Sequence, residues 1–260
     1  MQRAEQELEF FDTHAHLSSE EMIPNMALAI ERAFSMGVRS IVNICTDQNS
    51  LERGLKISQK GIYCAGATPP HDVEKDGKSA FAFFEAAAKK NKIIAIGETG
   101  LEYFHPGLDR LLQKEILVRY LHLAAETKKP ILFHCRDAFS DLFSIVDLEY
   151  PKNAKAMLHC FTGTRKEAEE VLKRGWMISF SGIVTFKKSE SLREIAKDAP
   201  LSQIVLETDS PWLSPQSKRG KPNEPGFIIE TAECIAKARN ISLEMLASAT
   251  TFNARQFFGV

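Results

Sequence analysis

Along the chain, short runs rich in β-branched, aromatic and other apolar residues alternate with longer segments whose apolar positions recur three or four residues apart. The first pattern predicts buried strands and the second amphipathic helices. Eight strand-like runs can be traced: LEFFDTHAH from Leu8, RSIVNIC from Arg39, GIYCAGA from Gly61, KIIAIGE from Lys92, PILFHC from Pro130, AKAMLHC from Ala154, GWMISFSG from Gly175 and QIVLETD from Gln203. LQKEILVRYLHLAAETKK from Leu112 and RKEAEEVLKR from Arg165 are the clearest of the intervening helices. Strict alternation predicts repeated βα units and a parallel sheet. Spread over 260 residues, eight units average about 32 residues each, which suits a single closed (β/α)8 barrel of the TIM type. A helical pair follows, roughly 226–239 and 242–258, the second opened by Ser242 and Glu244. The rival architecture, a doubly wound open sheet, lacks a GxGxxG or P-loop element after any strand. No linker, short repeat or low-complexity tract divides the chain, so one domain over residues 1–260 is expected.

Polar residues interrupt the ends of these runs in a way that burial alone does not explain. His14 and His16 close the first run, Glu98 the fourth, His134 the fifth, His159 the sixth and Asp209 the eighth. In a (β/α)8 barrel the carboxyl ends of the strands converge on one mouth, where such enzymes hold their active sites. Each residue alone has a bland reading, as a hydrogen-bonded rim histidine or a helix cap. Together, four imidazoles and two carboxylates at one mouth form a costly cluster unless cations neutralise it. The mixed donor set suits Zn, Mn or another first-row metal, and Mg stays open; six ligands, one of them bridging, are enough for two divalent cations.

Composition narrows the setting. The 33 Lys and Arg nearly balance the 34 Asp and Glu, for a net charge of -1, so the chain has no overall basic field and polyanion binding must rely on a local patch or on cations. Arg136, two residues after His134, and Arg219 with Lys221 in the RGK loop after the eighth run are candidates for such a patch, since guanidinium forks suit phosphate oxygens. A salt bridge to Asp137 is the competing reading for Arg136, and a solvated turn for the RGK loop. Five scattered cysteines argue against disulfides. Cys135 and Cys160 neighbour candidate histidines, but strand alternation turns them away, so packing is expected of them. MQRAEQELEFF has no apolar leader core and no run is long enough to span a membrane. The expectation is a cytoplasmic enzyme with no membrane association and no obligate protein partner.

The stretches DTHAHL, GETGLEYF, LFHCRDA, MLHCFTG and LETDSPWLSP, with RGKPNEP and TTFNARQFFG after them, resemble the TatD family of metal-dependent deoxyribonucleases, in that family's order and spacing from Asp12 to Gly259. The resemblance implies an amidohydrolase-type barrel in which Glu98 is shared by two metals, His14, His16 and Asp209 complete one site, and His134 and His159 the other. It also implies phosphodiester hydrolysis, with DNA as substrate. Tyr103 is retained from the family's pattern, while Glu102 replaces an aspartate. A larger departure follows the third strand: where the family shows a GxHPH-like stretch, Gly66 is followed by Ala67, Thr68, Pro69, Pro70, His71 and Asp72. The first histidine is absent, and His71 stands as its replacement with altered reach. His105 and His122 carry no comparable case.

In the mechanism expected from these residues, water activated by the cations attacks phosphorus, Asp209 takes the proton, Glu98 bridges, Arg136 holds the phosphate, and Tyr103 supports a ligand or the substrate. Two rivals stand beside it: an amidohydrolase-like esterase, lactonase or deaminase acting on a small substrate, and a non-catalytic metal-stabilised interaction protein. Because all six ligand positions are present, the last has the least support.

Overall fold

The structure, a computed structural model, describes residues 8–260; residues 1–7, which hold most of the stretch read above for a leader, lie outside the described residues. Each of the eight apolar runs contains a strand: β1 (Phe10–Ala15), β2 (Val38–Cys45), β3 (Ile62–Gly66), β4 (Ala95–Glu102), β5 (Ile131–Arg136), β6 (Ala156–Leu158), β7 (Met177–Phe180) and β8 (Ile204–Leu206). They pair in parallel in sequence order. Between them run α1 (Met26–Ser35), α2 (Gln48–Ile57), α3 (Val73–Lys89), α4 (Arg110–Thr127), α5 (Phe139–Glu149), α6 (Arg165–Lys173) and α7 (Glu190–Asp198), followed by α8 (Ile228–Arg239) and α9 (Leu243–Phe258). The fold is a (β/α)8 barrel. At the mouth β1 joins the segment after β8 through a bridge between Ala15 and Ser210 and the bonds His16 N to Ser210 O (2.7 Å) and Asp209 N to His14 O (2.8 Å); deeper in the barrel Thr13 Oγ1 donates to Leu206 O (2.9 Å). Asp12 fastens the same seam, accepting from Thr208 N (2.9 Å) and Thr208 Oγ1 (2.6 Å). Its full burial pushes the carboxyl up to about 8, against those hydrogen bonds.

The barrel interior identifies itself by its contributors. One buried cluster draws on every strand: Phe11, Val42 and Ile44, Ala65, Ala95, Leu132, Met157, Met177 and Val205. Only residues that face the axis can meet in this way. A much larger cluster joins the outer faces of the strands to the helices. The C-terminal helix closes the floor. Phe257, Phe258 and Ala254 of α9 join the inner cluster, and Phe258 stacks on Phe11 with ring centroids 5.8 Å apart. Asn253 Nδ2 donates to the carbonyls of Leu201 (2.7 Å) and Ile204 (2.9 Å). With one end filled by side chains, the other is left for chemistry.

Candidate metal centre

Strand alternation carries the inward face up to the mouth. Two residues beyond the inward Leu132 and Met157 stand His134 and His159, and beyond Val205 come Glu207 and then Asp209. His14 and Glu98 do not fit this count, and the pairing register explains why. Along β1, Asp12 faces Ile41 and Ala15 faces Asn43, so three steps on β1 match two on β2. Along β4, Ile96 faces Ile131 and Thr99 faces Phe133, again three against two. At these points β1 and β4 each hold one extra residue, a β-bulge, which re-aims the side chain after it; in β1 an opposite shift between Phe10 and Phe11 precedes it. Thr13 and His14 therefore both turn inward: Thr13 Oγ1 lies 3.2 Å from Ser179 Oγ across the barrel. Beyond its bulge, β4 presses against β5 so closely that a Cβ on Gly100 (φ +150) would stand 1.9 Å from the His134 carbonyl oxygen. Only glycine fits there.

All six predicted ligands meet. His14 Nε2 lies 3.2 Å from His16 Nε2, 3.3 Å from Glu98 Oε2 and 3.6 Å from Asp209 Oδ1. His16 Nε2 is 3.3 Å from Asp209 Oδ1, and His159 Nε2 is 2.8 Å from Glu98 Oε2. His134 Nδ1 faces His159 Nε2 at 3.3 Å. Three overlapping groups have donor atoms within 4.8 Å of one another: His14, His16 and Glu98; His14, His159 and Asp209; and Glu98, His134 and His159. Glu98, His14 and His159 each belong to two of them, and Glu98 is the carboxylate among these three. Imidazole nitrogens facing one another this closely, with neither His14 Nδ1 nor His159 Nδ1 in hydrogen-bond geometry with another group, are a poor arrangement for uncharged rings and a good one around divalent cations. No cysteine joins these groups among the described residues.

The electrostatics agree. Burial opposes ionisation of Glu98, yet His159 and His14 outweigh it and hold the carboxyl well below its usual range. Burial likewise opposes the charge on Asp209, and His16, His14 and His159 bring it down. Burial and then the neighbouring His159 depress His14. His159 moves the other way, because Glu98 and Glu207 overcome its burial and raise it well above the ordinary imidazole value.

Two carboxylates absent from the predicted site stand directly behind it. β4 runs past Glu98 to Glu102, whose Oε2 lies 3.2 Å from His134 Nε2 and whose Oε1 accepts from Phe104 N (2.7 Å) and His105 N (3.2 Å). Against its burial, those partners lower Glu102 to about 2. Glu207 is wholly buried, with Oε1 3.5 Å from His159 Nδ1 and accepting from Cys160 N at 2.6 Å. The inward parity of Glu207, two residues beyond Val205, was a readable signal for it. Glu102 needed the bulge in β4.

Above the cluster opens a cavity of about 1270 Å³, lined in part by His16, Glu98, His134, His159 and Asp209. Arg136 lines it too, its guanidinium 4.3 Å from the centre of the Phe104 ring; among the described residues no carboxylate lies within ion-pair distance of it. His71 also reaches the cavity, its ring 6.2 Å from that of His134, as does His105, with Nδ1 3.5 Å from Glu102 Oε2. Tyr103 does not: its hydroxyl donates to Asp141 Oδ2 (2.7 Å), and Arg110 covers its ring. Arg219 and Lys221 border a smaller neighbouring hollow of about 290 Å³, with Arg219 over Phe186. Cys160 lies beyond the end of β6 at φ +43, so alternation no longer governs it, and it lines the cavity.

Residues 11–259 match the family described as TatD related DNase. A metal-dependent hydrolase of Bacillus subtilis, YabD, is 35% identical over 252 residues, covering 96% of this chain and 99% of its own. The chain belongs to the TatD family. It is a metal-dependent hydrolase of that kind, similar also to the 3'-5' ssDNA/RNA exonuclease TatD of Erwinia tasmaniensis, with 35% identity over 96% of this chain and all of that one. The barrel superimposes on YJJV, a TatD homologue from Escherichia coli K12, with a TM-score of 0.91 at 24% identity over 98% of this chain and 100% of that one. Among the described residues, no TatD-family element here is a helix long and apolar enough to cross a membrane.

Proposed function

We propose that this TatD-family hydrolase cleaves phosphodiester bonds of DNA with two divalent cations held by His14, His16, Glu98, His134, His159 and Asp209. The observation that carries the reading is the convergence of three overlapping donor groups, with Glu98 common to two of them, at the floor of a cavity whose rim holds the guanidinium of Arg136. Bound there, the cations would supply Lewis-acid stabilisation of phosphoryl charge and a lower pKa for the attacking water. The chain's own residues do the rest. Asp209, held ionised by His16 and His14, accepts the proton of that water. Arg136, with its ring face already stacked on Phe104, presents guanidinium edges to the phosphate oxygens. Tyr103 steadies the end of β4 through Asp141, and Arg219, over Phe186 in the neighbouring hollow, adds a positive charge for the nucleic-acid backbone. The relative from Erwinia tasmaniensis, named for single-stranded DNA and RNA, supports a nucleic-acid substrate. Five unpaired cysteines suit a reducing cytoplasm.

Protein stripped with EDTA and assayed on end-labelled single- and double-stranded DNA tests this. Activity is expected to vanish on stripping and to return with Mn, Mg or Zn. Cleavage that persists without bound metal, or ester and amide hydrolysis with none on DNA, overturns the reading.

A further inference from the structure

The two walls of the cavity differ in kind. On the side of α2 and α3 it is mostly polar, with Asp47, Arg53 and Lys75 beside Phe83; on the side of β7 and β8 it is apolar, built from Ile183, Trp212 and Leu213. Trp212 is 43% exposed, and its indole stands edge-on to the candidate ligand His16, with ring centroids 4.7 Å apart at 73°. Its main chain is tied to the metal loop. Trp212 N donates to Asp209 O at 3.0 Å, and the buried Asn223 spans the segment, its Nδ2 donating to Trp212 O (2.7 Å) and Thr208 O (2.8 Å). The main chain that carries the indole is thus held on both sides, and the ring rests on the edge of His16. A large aromatic surface thus stays open to water within one ring's distance of the reaction centre, and a flat ligand face covering it is favoured.

We propose that Trp212 is the platform on which an unpaired nucleobase of the substrate stacks, beside the phosphodiester to be cut. The proposal rests on the nuclease reading above and adds what selects the nucleotide. Bases within a duplex have both faces covered by their neighbours, so only an unpaired nucleotide offers its face to the indole. Stacking of this sort tolerates any sequence, because every base has a π-face. Trp212 would then discriminate against paired and abasic nucleotides while leaving base identity unread.

The chain has two tryptophans, and the other, Trp176, is 3% exposed, so ligand-induced changes in intrinsic fluorescence report on Trp212. In EDTA, a single-stranded oligonucleotide is expected to quench the wild-type protein, whereas an abasic strand of equal length is not; W212F is expected to show no quench. With metal restored, wild type is expected to prefer the base-bearing strand by about tenfold or more in kcat/KM, W212F to keep most of that preference and W212A to lose it. Equal quenching by both strands overturns the platform. So does an equal loss on both strands in W212A, which would make Trp212 a support for His16 alone. Base-dependent quenching without cleavage by the metal-loaded wild type would sink the nuclease reading and leave the platform standing; cleavage without base dependence would do the reverse.

Discussion

The two flanks of the ligand cluster are built differently. On the β5–β6 flank, His134 and His159 each have a carboxylate behind the ring: Glu102 lies 3.2 Å from His134 Nε2, and Glu207 lies 3.5 Å from His159 Nδ1. On the β1–β8 flank, His14 has no partner at Nδ1, and His16 leans on an aromatic edge, Trp212. A carboxylate behind an imidazole fixes its orientation and strengthens it as a donor. The β5–β6 flank is thus set by groups outside the ligand cluster, whereas His14 and His16 depend on the main-chain seam between β1 and β8 and on Glu98. This asymmetry predicts that damage on the two flanks will have separable effects.

Glu98→Ala removes the carboxylate that lies against His14 on one flank and His159 on the other, and is expected to do the most harm. Metal content should fall from the proposed two equivalents toward one or none, with activity falling by more than the roughly 10- to 100-fold that loss of an outer partner costs. Full occupancy by elemental analysis together with wild-type turnover would take Glu98 out of the centre. Glu207→Gln sharpens the comparison, because it keeps the shape and an acceptor for Cys160 N but removes the charge behind His159. Titration with metal should show one site weakened about 10- to 100-fold and the other unmoved; equal weakening of both would erase the distinction between flanks.

Arg136 stands beyond His134 on the supported flank without touching a predicted ligand. Arg136→Lys should lower kcat/KM on DNA by roughly one to two powers of ten, as expected for a lost charge-assisted pair of about 1.5 to 3 kcal/mol, with metal content and melting temperature unchanged. A lower melting temperature with intact kinetics would make it a structural residue instead. The smallest effect is expected from Tyr103→Phe, which removes the bond to Asp141 on the far side of β4 from the cavity. Thermal unfolding should register about 1 kcal/mol, and kinetics on DNA should hardly move; a large rise in KM would give the phenol a direct contact with substrate.

Periodicity made the eight strands, the helices between them and the C-terminal helical pair legible, because burying one face of an element imposes its repeat on the residues that form it. The candidate ligand residues stood out for the same reason, as histidines and carboxylates where strand ends should be apolar. Even Glu207 lay within reach of that logic through its parity with Val205. What periodicity cannot register is an insertion of one residue in a strand. The bulges in β1 and β4 turn His14 and Glu98 inward and let β4 continue to Glu102, and they exist only in the pairing with β2 and β5. The floor made by Phe257 and Phe258, the apolar wall around Trp212 and the turning of Tyr103 toward Asp141 are likewise relations between segments distant along the chain. Local pattern names which residues must be buried or solvated; the closing of the barrel decides which of them meet.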